Sequence, residues 1–376
     1  MLHRLILPSI HPLFFANVAL MLGIYGAFLG YSLTTSFILG SLFCGILLMC
    51  NNTKQHAFLL VIPFCFIIGA WRYHHQINDF DYFQQNFTAQ ICTVTGKIKS
   101  IENAENQHFK YKVTVALHHI LKKEQKQYVN ATIFIYTNKP TDLEVSDIVT
   151  VHDIKLNKSN NNSFARYLLK EGASATCFMP QLHCTIEHRP HISFARFIHK
   201  LKTQLYKALQ NKISHTTFSL FSSLFFGKQT QRATNLSMRD ECMEWGISHY
   251  LARSGLHLVI CIMLWQFFLN MIPLRLFYKN NLLMIVIIIY ALLSWNSVSF
   301  NRALWLFLVS KWSTLLRLPT QGIHSIICIS LCFIAYNPAQ LLFIDFQLSF
   351  LLTFALMLHN AIQHTMRTLP PVAAHA

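Results

Sequence analysis

Residues 245–257, WGISHYLARSGLH, run without interruption into the apolar stretch 258–269, LVICIMLWQFFL. His249, Arg253 and His257 stand four residues apart, so a helix through this segment carries two histidines and an arginine as one stripe. Ionisable groups on an apolar helix must face protein or water, and Ser248, Ser254 and Gly255 accompany them. A second reading is packing alone, in which Ser254, Gly255 and His257 let two helices approach closely and hydrogen-bond across the gap. Both readings place the stretch in a helical bundle with a polar interior. A plain membrane anchor needs neither histidines nor arginine.

The composition around this stretch points the same way. The 376 residues are 53% apolar and 12% charged, with 31 Lys and Arg against 15 Asp and Glu. Soluble chains carry about twice that charge, and the mean hydropathy is +0.36. Acidic residues are absent from positions 1–71, and from 199 onward they are only Asp240, Glu241, Glu244 and Asp345. A polar, charge-mixed block therefore interrupts two oily ones.

Residues 12–50 are long enough for two membrane spans with a break near 30–36, and 57–71 supply a third, shorter one. A cleavable signal peptide fits less well, because the apolar run continues through 23–45 with no small-residue cleavage site. The charges here are Arg4 and Lys54. Placing both in the cytoplasm leaves the chain outside the membrane after Trp71.

The hydrophobic period changes at residue 91. Runs at 91–101, 109–120, 127–137, 147–156 and 173–184 read as five strands. A helix at 163–171, with Ser163 as N-cap and Gly172 as C-cap, falls before the last. Five strands and a short helix predict a small barrel, most commonly an OB-fold. Cys92, Cys177 and Cys184 lie in this block, where an oxidising compartment permits a disulfide among them. Residues 194–212 read as a basic amphipathic helix lying in the headgroup plane, and 218–226 are too short to span. Further apolar segments at 246–272, 282–293, 298–316, 323–335 and 346–358 complete the chain. The expectation is a polytopic α-helical membrane protein with an inserted soluble OB-like β-barrel. Its divisions are 1–71, 72–190, 191–230 and 231–376.

Two more polar clusters interrupt the oily second half: SVSFNRA at 297–303, with Ser299 and Arg302, and DFQLSF at 345–350, with Asp345, Gln347 and Ser349. Asp345 has few acidic rivals nearby, so Arg253, Arg302 or a histidine is its expected partner. In the polar block, Phe109, Lys110, Tyr111 and Lys112 on the second strand, and Phe134, Tyr136 and Lys139 on the third, offer aromatics interleaved with cations, the pattern that binds single-stranded nucleic acid. Alternation puts Phe109 and Tyr111 on one face and Lys110 and Lys112 on the other.

The order SHYLARSGLH, SVSFNRA, FQLSF resembles the ComEC/Rec2 competence family, whose members carry SHLLAxSGLH, SxxRA and GFQLSF elements in that order. Residues 145–156, VSDIVTVHDIKL, and 161–178, NNSFARYLLKEGASATCF, are similar to that family's outer OB domain, where a GDxV strand precedes an NPG turn. The resemblance implies an inner-membrane channel for one strand of DNA in natural transformation. Its partners would be single-stranded DNA, membrane lipids, a DNA receptor and a cytoplasmic ATPase or helicase, with self-association a further expectation. It carries Ser248, His249, Ser254, Gly255 and His257 onto the first element, Ser299 and Arg302 onto the second, and Gln347 and Ser349 onto the third. Arg253 departs from the family's usual aliphatic residue and Asp345 from its glycine, which makes those two a candidate compensating pair. The NPG turn is reduced to Asn161, Asn162 and Ser163. A net charge of +16 suits a conduit for a polyanion.

No HxHxDH motif occurs, and the pairs His74–His75 and His118–His119 lack nearby carboxylates at ligand spacing. No metal, cofactor or metal hydrolase activity is therefore expected. Two other functions use the same residues. A transporter or flippase for another anionic substrate would need the same basic interior. An intramembrane hydrolase would need Ser254 with His249 or His257, but three residues along a helix do not aim Ser254 at His257.

Overall fold

The computed structural model describes residues 12–35, 38–39, 61–103, 108–122, 125–138, 143–159, 161–190, 192–226, 244–245, 255–294, 297–317 and 322–368. The chain divides into two units, one mainly of helices and one around a mixed sheet.

The helical unit contains α1 (Pro12–Phe28), the start of α2 (Val61–Asn86), α6 (Gly255–Met271), α7 (Leu276–Leu293), α8 (Val298–Leu315), α9 (Gly322–Tyr336) and α10 (Ile344–Thr368). The second of the expected N-terminal spans falls largely outside the described residues. The third does not stop at Trp71, because the helix carries on to Asn86. Its later turns place Phe80 and Phe83 one turn apart, and both are buried in the sheet unit. α1 and α2 meet at reciprocal glycines. A Cβ on Gly23 would strike the Phe66 carbonyl, and one on Gly69 would strike the Leu20 carbonyl, so the small residues set how near the backbones come.

α9 packs against α1, α8 and α10. It buries Ile323, Ile326, Ile327, Ile329, Ser330 and Ile334. The Asn17 amide donates to Ser330 Oγ across the α1–α9 contact, and Arg72 Nη2 donates to the Ala335 carbonyl at 2.8 Å. That bond satisfies a carbonyl in the last turn of α9, where a cation also suits the helix dipole.

The outer faces of these helices are apolar. Val259, Ile260, Met263, Leu264 and Phe267 of α6, Ile285 and Ile289 of α7, and Leu348, Leu351 and Leu352 of α10 are all exposed. α7 and residues 344–363 of α10 are long and apolar enough to cross a membrane. Two such helices with unburied apolar faces are consistent with a membrane protein.

Among the described residues the sheet unit has seven strands where five were expected: β1 (Ile91–Asn103), β2 (Tyr111–Lys122), β3 (Gln125–Tyr128), β4 (Thr132–Thr137), β5 (Ile148–Lys155), β6 (Ala175–Phe178) and β7 (Cys184–His188). The expected 127–137 strand divides into β3 and β4, which pair with opposite ends of β2. The 173–184 strand ends at Phe178, and Pro180, which cannot donate to a ladder, separates β6 from β7. The order is β6-β4-β2-β1-β5-β7, with β4 and β6 parallel and the other pairs antiparallel. An isolated bridge joins Asn157, just after β5, to Thr176 in β6; the Asn157 N–H donates to the Thr176 carbonyl at 2.8 Å.

Val94, Ile98, Val113, Val115, Ile133, Ile135, Val149, Val151 and Ile154 alternate inward to form the core. α3 (Asn162–Glu171) starts from Asn161, whose side chain accepts the Ser163 N–H, so Asn161 and not Ser163 is the cap. Gly172 closes it at φ 67°, a left-handed conformation that glycine adopts without a Cβ penalty. Among the described residues no disulfide joins Cys92, Cys177 and Cys184. Burial pushes Cys92 up to about 11 and Cys177 up to about 12.

α4 (Phe194–Lys212) begins at Ser193, which accepts the Arg196 N–H. Its first turns are fixed by a buried carboxylate. Asp147, fully buried, accepts from Arg189 Nη2 at 2.9 Å and from Arg196, and Arg196 also pairs with Glu144 at 3.0 Å. Phe194 and Phe197 remain exposed. α5 (His215–Phe221) leads into a π turn at Ser222–Phe226, and Phe218 and Phe226 pack on Tyr206 of α4.

Candidate functional site

The second sequence element opens α8. Ser297 is its N-cap, accepting the Phe300 N–H at 3.2 Å. Ser299 lies in the first turn, and its Oγ accepts the N–H of Gly255 at 3.2 Å. This hydrogen bond ties the α6 backbone to a neighbouring helix. A side chain at 255 would crowd that junction, because a Cβ would sit 3.1 Å from Ala303 Cβ, 3.3 Å from Arg302 Nη2 and 3.4 Å from the Ser299 carbonyl.

Arg302, three residues beyond Ser299, shares its face of α8. Its Nη1 donates to Thr353 Oγ1 on α10. The Thr353 hydroxyl donates in turn to the carbonyl of Ser349 at 2.9 Å. The first, second and third elements thus meet through Gly255–Ser299 and Arg302–Thr353–Ser349. Two atoms of this cluster, Arg302 Nε and Ser349 Oγ, are buried with no hydrogen-bond partner. Among the described residues no carboxylate pairs with Arg302. Phe300, two residues before Arg302, is fully buried in one cluster with Leu258, Leu283 and Ile287, and the Phe346 and Phe350 rings lie tilted with centroids 4.4 Å apart in the first turns of α10.

The other expected residues are dispersed. Gln347 is exposed and donates to the Leu341 carbonyl at 2.8 Å. Asp345 is exposed in the first turn of α10, where a negative charge complements the helix dipole, and Arg302 makes its hydrogen bond to Thr353 instead of to this carboxylate. His257 is half-buried on α6. Ser248, His249, Arg253 and Ser254 lie outside the described residues, and with them the histidine–arginine stripe and the expected Arg253–Asp345 pair. Thr353 was missed. Its signal was its place one helical turn beyond Ser349.

In the sheet unit the expected alternation fails at its start. β2 begins at Tyr111, so Phe109 precedes the strand and packs on Phe178 and Tyr136, with ring centroids 5.5 and 6.5 Å away. Tyr136 and Phe178 pair across β4 and β6 and stack at 5.1 Å. Lys112 pairs with Tyr136 across β2 and β4, and its Nζ lies 3.8 Å from the centre of the Phe134 ring, a cation–π contact. Phe134 is buried beneath α2 and α3 with Phe80 and Leu168, so its ring is not open to a stacking base. Lys110 is exposed and Tyr111 half-buried, while Lys139 lies outside the described residues. Phe178, 41% exposed, was not anticipated; the only sequence signal was an aromatic at the end of the ASATCF strand.

An apolar-faced helical unit in which three spaced motifs meet at a half-buried arginine, together with a separate mixed-sheet unit, is consistent with a membrane protein. Residues 224–374 match the family described as Competence, competence protein. That stretch therefore carries a competence-protein domain of the ComEC/Rec2 type. The matched stretch holds all three motifs and leaves the strands outside it. No curated protein and no solved structure matches the chain.

Proposed function

We propose that this chain is an inner-membrane channel component that passes single-stranded DNA into the cytoplasm during natural transformation. The observation that carries the reading is the meeting of the three motifs at Gly255–Ser299 and Arg302–Thr353–Ser349, inside a helical unit whose outer faces are apolar. A lone packing motif needs no buried guanidinium, and a lipid-facing bundle does not retain one without use. The +16 charge and the scarcity of acids in the helical segments suit a polyanion. α1, α2 and α6–α10 are read as a multi-pass bundle.

The sheet unit is read as an OB-like barrel on the outer face. The strand order and the Asn157–Thr176 bridge, which links the two arms of the path, support this reading. Phe109, Tyr136 and Phe178 beside Lys112 form the face on which a base could stack. A DNA receptor at this face and a cytoplasmic ATPase or helicase below would complete the pathway.

The test is transformation of a deletion strain complemented with Arg302→Ala or His257→Ala, with membrane abundance measured in parallel. Uptake lost at normal abundance supports the channel. Uptake retained by both variants at normal abundance removes it.

A further inference from the structure

Among the described residues Arg302 is a cation without a counter-charge, set in a helical unit whose outer faces are apolar. It makes one hydrogen bond, to the neutral hydroxyl of Thr353, and its Nε is buried with no partner. On the helix that supplies Thr353, one turn earlier, Ser349 Oγ is also buried without a partner. The Thr353 hydroxyl gives its own proton to the Ser349 carbonyl and accepts from Arg302 Nη1. Leaving such a group unsatisfied is costly, and more so when it is charged, so a cluster of this kind is not what packing alone would select.

The donor set specifies the kind of ligand it suits. An arginine fork with a free Nε matches a tetrahedral oxyanion, and a hydroxyl such as that of Ser349 donates to a further oxygen. Gly255 keeps the approach open, because any Cβ there would stand 3.3 Å from Arg302 Nη2. We infer that Arg302 and Ser349, positioned by Thr353 and Gly255, form a binding site for a single phosphodiester group. The inference rests on the channel reading for its preferred source, the DNA backbone, but the same chemistry is offered by a phospholipid headgroup.

The experiment uses the full chain in phosphatidylcholine nanodiscs, with a fluorescent oligothymidylate and its uncharged methylphosphonate analogue as probes. Arg302→Gln is expected to weaken oligothymidylate binding about tenfold or more, and Ser349→Ala about threefold. Arg302→Lys, which keeps the charge and loses the fork, should fall between wild type and Arg302→Gln. The slope of log affinity against log salt should drop by about 0.7 in Arg302→Gln, the share of one single-strand phosphate. Loss of packing alone would not move that slope, and the methylphosphonate probe should bind the variants and the wild type alike.

A second arm adds phosphatidylglycerol to the discs and follows the melting temperature. If oligothymidylate affinity is indifferent to Arg302 but phosphatidylglycerol stabilises the wild type and not Arg302→Gln, the occupant is a lipid headgroup; the site stands and the channel reading loses it. If neither measurement depends on Arg302 or Ser349, the site is overturned, while uptake in cells still decides the channel reading separately. Should Arg302→Gln fail to assemble, Arg302→Lys and Ser349→Ala carry the same comparison.

Discussion

The two units treat a buried charge in opposite ways. In the sheet unit, Asp147 is fully buried and receives Arg189 and Arg196, while Glu144 receives Arg196 and Lys200. Each cation of that network has an acid, and the network ties α4 to the turn before β5. In the helical unit, Arg302 has a threonine hydroxyl and no described carboxylate. The sequence distributes its acids accordingly, since they concentrate between Asp79 and Glu187 and nearly vanish beyond 199. Charge in the first case is structural, and in the second it is left available to a ligand.

The strongest way to break this contrast is at Asp147. Asp147→Ala leaves two arginines facing a buried void, and breaking such a network costs about 3–5 kcal/mol. Chemical denaturation of the full chain, followed by sheet circular dichroism, should show that loss; a change below about 1 kcal/mol would mean that the pairs are ornamental surface contacts. The converse experiment gives Arg302 the acid it lacks. Thr353→Asp should leave the protein assembled, with its melting temperature kept or raised, and should abolish most transformation. Normal uptake by this variant would show that an uncompensated arginine is not what the pathway needs.

Gly255→Ala sharpens the comparison without touching a charge. The added methyl must displace Ala303 or Arg302, and overpacking of this kind costs about 1–3 kcal/mol. Thermal melting in detergent should fall by several degrees, and an unchanged melting temperature would show that the junction has room for the methyl.

The smallest effect concerns pH. The hydrogen bond from Lys200, followed by its charge and that of Arg196, holds the Glu144 carboxyl below its ordinary value. Because the folded value is depressed, the stabilisation is present above the unfolded carboxylate range, roughly pH 4.3, and is lost as pH falls through the folded value. Glu144→Gln should therefore flatten the acid limb of a melting-temperature profile slightly and leave the profile unchanged at pH 7 and above, apart from a constant offset. An unaltered acid limb would show that the Lys200 contact is open to solvent and contributes nothing.

Local chemistry made much of this legible in advance. The α4 helix at 194–212, the helix closed by Gly172, and the division into oily and polar segments follow from periodicity and capping, which act over a few residues. The same local reading went wrong where the chain folded back on itself. Phe109 was assigned opposite to Lys112, yet it lies before β2 and joins Tyr136 and Phe178, whose strands come from elsewhere in the sequence. Phe134 was offered to a ligand and is instead buried under α2 and α3, which no strand pattern reveals.

By itself the sequence determined which residues are chemically equipped: the serines, the arginine and the glycine of three ordered motifs, and the near absence of acids around them. Tertiary structure alone decided which of these meet. Gly255 finds Ser299 across 44 residues and Arg302 finds Thr353 across 51, and neither contact can be specified by spacing along one helix. Hydrogen bonds within a turn are fixed by backbone geometry, whereas bonds between helices depend on the crossing and rotation that side-chain packing sets, so the site took shape only when α6, α8 and α10 came together.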